Sequence, residues 1–183
     1  MQEKRRPTLS STTLILAGGL GALGLVLPPL FHVLGSGAVF LPMHLPLVAL
    51  GFLVPPRVSL QVVLVVPFLS SMATGMPPLF PTVPAMVAEL GTVCLVGWTL
   101  FVKFSKPWAL ALPAALAAGI LAGDAATWVL LTLGPALGIH VPRTTTILAR
   151  TAAALPGYAI QLAGVPLLVR AVRTRLPEWE VTP

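Results

Sequence analysis

Two carboxylates stand where carboxylates are expensive. Glu89 and Asp124 each fall inside a long uncharged, apolar run, and an ionisable side chain in such a run costs at least ~2.5 kcal/mol on insertion scales, which makes it a candidate for function before structure. Around them are groups able to donate or accept protons or hydrogen bonds: His44 between Pro42 and Pro46, Arg150, Tyr158 and Gln161 in the last apolar run, and Thr127 and Trp128 one turn beyond Asp124. Such a set can hold a small polar ligand. A proton-transfer site is the other chemistry open to it, because an insulated carboxylate has its acid form favoured. Each residue also has a purely structural use. Glu89 and Asp124 can pair with Arg150 or bridge helices, His44 can cap a broken helix, and His32, His140 and Trp128 suit interfacial or lipid-facing positions. Cys94, alone in an apolar run, reads as packing.

The motifs of several other chemistries are missing. There is no Gly-Lys dipeptide and hence no P-loop, and no H-E-x-x-H, G-x-S-x-G or C-x-x-C. No cofactor and no metal site is expected, and no nucleic-acid partner, since the basic residues sit between apolar blocks rather than on one face. A single cysteine rules out a disulfide framework.

The elements that must position these residues follow from composition. Of 183 residues, 56% are hydrophobic and only 9% charged, with mean hydropathy +0.95. Sixteen charged side chains cannot cover the surface of a soluble protein this small, so the chain reads as an all-α integral membrane protein, and sustained alternation that would argue for a barrel is absent. A crossing helix needs about 20 apolar residues. Six runs qualify as spans, at about 9–31, 38–54, 58–73, 81–102, 108–133 and 147–169, forming one domain over residues 1–183 with the second span short. The basic amino-terminal hexapeptide followed by the first run reads as a retained span, because the run is too long for a signal-peptide core.

Lys4, Arg5, Arg6, Arg57, Lys103, Lys106, Arg170, Arg173 and Arg175 then fall on one side of the membrane, and Arg143 and Arg150 on the other. That bias orients both termini to the cytoplasm of a prokaryotic plasma membrane. On this orientation Glu89 and Asp124 lie roughly 12–14 Å below the outer surface, near His44, Arg150 and Tyr158, while the inner half has almost no comparable group. A pocket open to the outside and sealed toward the cytoplasm is expected.

The first span carries a different pattern. Ala17 with Gly21, and Gly18 with Ala22, place small residues at four-residue spacing, which lets helices approach closely. Two uses remain open, packing within the bundle or docking of a separate membrane subunit. Gly119 and Gly123 repeat the pattern more weakly in the fifth span.

Three blocks of sequence resemble a known family. Phe40-Leu41-Pro42-Met43-His44-Leu45-Pro46 with Ala49-Leu50-Gly51-Phe52, then Ser70-Ser71-Met72-Ala73-Thr74-Gly75-Met76-Pro77-Pro78-Leu79-Phe80-Pro81 with Glu89-Leu90, and Gly24-Leu25-Val26-Leu27-Pro28 with Phe31-His32, are similar to substrate-binding S components of energy-coupling factor (ECF) transporters. The blocks cover roughly residues 17–97, and the last third is similar only in span count and polarity. The resemblance implies a six-helix subunit that binds a vitamin or related micronutrient in an outward pocket. It also implies a transmembrane T component as partner, docked on the small residues of the first helix and coupled to two cytoplasmic ATPases. Ala17, Gly18, Gly21 and Ala22 become the expected docking face. His44, Met76 and Glu89 become expected ligand contacts by motif, and Asp124, Arg150 and Tyr158 by location. The ligand class leans to a pyridine-type B vitamin such as pyridoxine or niacin, with cobalamin as an alternative. Competing readings are an intramembrane enzyme using Glu89, Asp124 and His44, and a stand-alone carrier.

Overall fold

A computed structural model of the chain describes residues 10–33, 41–138 and 147–175, with the side chains at 32, 33, 137 and 148–150 outside that description. The described residues contain α-helices and no strand: α1 (Ser11–Val33), α2 (His44–Leu53), α3 (Pro56–Thr74), α4 (Thr82–Gly97), α5 (Trp108–Leu133) and α6 (Ile147–Arg175). A π-helical turn, Trp98–Lys103, prolongs α4, and a short 3-10 turn, Pro135–Leu137, follows α5. Counting α4 with its extension, five helices are long and apolar enough to cross a membrane. The expected cytoplasmic termini, with Lys4, Arg5 and Arg6, and the outer-loop residues His140 and Arg143 lie outside the described residues.

Helix boundaries have local causes. Ser10 caps α1, its hydroxyl accepting the Thr13 amide at 3.1 Å. Pro55 and Pro56 turn the chain between α2 and α3, with Pro56 at the first helical position, where its missing N–H is harmless. Gly75 ends α3 in the left-handed conformation, φ 72°.

The second expected span needs correction. Residues 38–40 lie outside the described residues, and from 41 onward helix forms only at His44, because Leu41 takes φ 46° and precedes Pro42, and both features oppose an α-turn. The resulting α2 has 10 residues, about 15 Å of rise against ~30 Å of hydrocarbon. It survives this shortness by enclosure. Every residue of α2 except Leu45 is buried, and α1, α3, α4 and α6 all pack on it.

Two close helix crossings set the bundle. A side chain at Gly51 of α2 would lie 2.6 Å from the Cα of Cys94 in α4, and one at Gly119 of α5 would lie 2.9 Å from the carbonyl oxygen of Glu89 and overlap Val93. Only hydrogen at these positions lets the backbones meet, as small residues do in lipid.

The small residues of α1 divide between two faces. Ala17 and Gly21 are buried, and a side chain at Gly21 would touch Val62 of α3 at 3.1 Å. Gly18 and Ala22 are exposed, with nothing within 4 Å of a side chain at Gly18. Of the four residues expected to form one docking face, Ala17 and Gly21 are therefore turned into the bundle, Gly21 against α3, and Gly18 and Ala22 stay on its surface.

Candidate functional site

Short connections make α2, α3, α4 and α5 run alternately up and down, so the bundle has two distinct ends. One collects the carboxy-terminal end of α1, the amino-terminal ends of α2, α4 and α6, and the α3–α4 loop. A cavity of about 390 Å³ opens there. Its walls are Pro28 from α1, Leu41 and Met43 before α2, Met76 and Pro77 from the α3–α4 loop, and Met86 from α4, with Ala153 and Ala154 contributed by α6. Arg57, Lys103, Lys106, Arg170, Arg173 and Arg175 belong to the opposite end.

Three polar side chains from three helices meet at one side of the cavity, and Thr82 of α4 also lines it. Tyr158 of α6 donates its phenolic hydrogen to Oε1 of Glu89 in α4 at 2.7 Å. His44 Nε2, at the first residue of α2, lies 3.7 Å from the same carboxylate oxygen. Glu89 is 3% exposed, His44 4% and Tyr158 8%. His44 and Tyr158 line the cavity, whereas Glu89 is not among its lining residues and stands behind them. A ligand entering this space meets the imidazole and the phenol first. Glu89 orients both, and by taking the phenolic hydrogen it leaves the Tyr158 oxygen with lone pairs to offer.

The rim is fixed by the end of α3. Ser70 Oγ donates to the Met76 carbonyl at 2.8 Å, Thr74 Oγ1 donates to the same carbonyl at 3.1 Å, and the Met76 amide donates back to Thr74 Oγ1 at 3.2 Å. The Met76–Pro77 and Phe80–Pro81 peptides are cis. Met76 is thus held at the cavity wall by backbone bonds while its flexible thioether remains half exposed.

Of the six residues expected to contact ligand, His44, Met76 and Tyr158 line the cavity and Glu89 backs it. Asp124 is a departure. Both of its carboxylate oxygens accept from Thr151 Oγ1, at 3.1 Å each, and it is not among the lining residues. It ties α5 to α6 beside the site. Arg150 lies in the first turn of α6, and its side chain is outside the described residues. Thr127, near Asp124, spends its hydroxyl on the Gly123 carbonyl at 2.8 Å, and Trp128 is exposed.

Several site residues were not singled out by sequence. Thr151 precedes Tyr158 by seven residues, two turns on one face of α6, and that spacing was available as a signal. Met86 precedes Glu89 by three, on the same face of α4. Leu41 gave none, since its place depends on a backbone turn. Gln161, which the sequence did mark, lies one turn beyond Tyr158 and is 1% exposed, and neither end of its amide has a hydrogen-bond partner among the described residues. Among those residues no three His, Cys, Asp or Glu side chains gather as metal ligands would.

Comparison of the chain with family models, with curated proteins and with solved structures finds no match in any of the three.

Proposed function

We propose that the chain is a substrate-binding membrane subunit that captures a vitamin-sized molecule in the cavity above Glu89 and hands it to a transporter, as ECF S components do. In this reading the chain makes six passes, with α2 in the second, and both termini are cytoplasmic. The observation that carries the proposal is the meeting of His44, Glu89 and Tyr158 at one hollow, at the end of the bundle opposite the cations. In apolar surroundings each such group is costly to bury, and three from three helices converging on a cavity mark the default binding site.

The cavity also narrows the ligand. About 390 Å³ suits a single ring with short substituents, and a corrinoid is too large for it. Apolar walls with one imidazole, one phenol and the Thr82 residue at the start of α4 favour an uncharged or weakly polar ring bearing a donor for the Tyr158 oxygen. A pyridine-type vitamin such as pyridoxine fits that description, and cobalamin does not. Gly18 and Ala22, on the exposed face of α1, are the remaining candidates for contact with a T component coupled to two ATPases, and Asp124 takes a positioning role through Thr151.

Calorimetric titration of the purified chain with pyridoxine, pyridoxal and nicotinate tests the reading. One saturable site, weakened by Glu89→Gln, is expected. The absence of saturable heat with all three removes the pyridine class. Uptake by the chain alone in liposomes, without ATPases, overturns the subunit reading in favour of a stand-alone carrier. Catalytic turnover lost in Glu89→Gln would identify an intramembrane enzyme instead.

A further inference from the structure

The opposite end of the bundle carries a second concavity with different chemistry. It is a groove of about 440 Å³ between the end of α6 and the junction of α4 with α5. Phe101, Trp108, Pro166 and Leu167 give it an apolar wall, and Arg170 and Arg173 stand at one end of that wall. We propose that this groove holds an anionic phospholipid, with its phosphate against Arg170 and Arg173 and an acyl chain along Leu167, Pro166 and Trp108.

Arg173 is already positioned for such a headgroup. Its Nη2 donates to the Phe52 carbonyl at 3.3 Å, and its guanidinium lies over the Phe101 ring, 5.0 Å from the centroid. The ring stays in place because Phe101 and Trp108 are in contact at 4.2 Å between centroids, and Phe52 stacks on Trp108 at 4.9 Å. A guanidinium has five N–H donors in a rigid fork suited to phosphate oxygens, and the bond to Phe52 takes one. Arg170 precedes Arg173 by three residues and so lies on the same face of α6. Neither has a carboxylate within 4.0 Å among the described residues, where the recorded ion-pair contact is His44 with Glu89.

The order of residues along α6 decides the occupant. Pro166 and Leu167 come one turn before Arg170 and two before Arg173, with Leu167 68% exposed, so apolar surface passes into positive charge over two helical turns. Free phosphate has no use for the wall, and a neutral lipid has none for two guanidinium groups that meet no carboxylate among the described residues. A molecule with a hydrocarbon chain and an anionic head complements both. The indole of Trp108, at the start of α5, sits where interfacial aromatics meet headgroups, and basic pockets between helices at a membrane surface are a recurrent form of anionic lipid site.

The test is native mass spectrometry of the full chain released from nanodiscs of dioleoylphosphatidylcholine containing a minor fraction of dioleoylphosphatidylglycerol. Selective retention of phosphatidylglycerol is expected. Arg170→Gln, a change at an exposed residue, is expected to lower the retained glycerol-to-choline lipid ratio about five-fold, and adding Arg173→Gln to lower it further. Equal retention of the two lipids by the unaltered chain, or an unchanged ratio in Arg170→Gln, overturns the proposal. Displacement of the retained lipid by excess inorganic phosphate alone would make the groove a phosphate site and equally sink it. Capture of a protein partner in place of lipid has the same consequence.

Discussion

At the cavity end, polar side chains are buried and bonded to one another, and the walls are thin: a loop, two alanines and the tips of four helices. At the other end Phe52 is buried with Phe101 and Trp108 half-buried against it, and the charges stay at the edge. Phe52, Phe101 and Trp108 form one stacked group, with Phe52 fully enclosed, and Arg173 covers it from outside. The contrast shows how a chain with little hydrophobic drive between its helices divides its tasks. Ring packing and dispersion close one end, and the cavity end is held by a few hydrogen bonds between side chains.

Substitutions can break that contrast, and the largest effect is expected between the ends. Gly119→Leu drives a side chain into the Glu89 peptide and should prevent recovery of monodisperse protein on size exclusion, a loss of several kcal/mol. Normal yield and ligand binding in this variant would show that the α4–α5 crossing does not set the site.

Phe52→Ala removes the centre of the aromatic group and should cost about 3 kcal/mol in thermal or denaturant stability. Ligand affinity in the protein that remains folded should be unchanged, since Phe52 lies at the far end of α2 from His44. A parallel loss of affinity would mean that the two ends are coupled.

Tyr158→Phe should do the reverse. It deletes the hydroxyl that meets Glu89 and whose oxygen faces the cavity, and should weaken ligand binding about ten-fold, as the loss of one hydrogen bond to the ligand implies, with a smaller change in stability. Thr151→Val should have the smallest effect. It removes the donor to Asp124 and should cost about 0.6 kcal/mol, the usual size of an interhelical hydrogen bond in membranes, with affinity within two-fold. A ten-fold affinity loss in Thr151→Val would return Asp124 to the ligand site.

Depth along the helix axis was readable from the sequence, and rotation about the axis was not. Hydropathy and proline positions placed α5 at Trp108–Leu133 and the start of α6 at Ile147, and the position of each polar residue along its span brought His44, Glu89 and Tyr158 to one level. Rotation is legible only where one face of a helix is polar. α1 is apolar on all sides, so nothing distinguished Ala17 and Gly21, which face α3, from Gly18 and Ala22, which do not. Asp124 failed for the same reason: its depth is that of the site, but its face of α5 meets Thr151. The aromatic group draws on residues 52, 101, 108 and 173, far apart in sequence, and depends on the π-turn at Trp98–Lys103, which adds a residue to the last turn and redirects the side chains after it. The start of α2 was misplaced because Leu41 adopts a backbone conformation that composition does not announce.

The brevity and enclosure of α2 bear on how the protein is made. A helix of ten residues spans about half of the hydrocarbon, and of the helices that pack on it only α1 is synthesised before it. Its enclosure is completed only when α3, α4 and α6 have been made. The order of assembly is then fixed by the last helix, and a chain truncated before α6 should be recognised by quality-control proteases as unfinished.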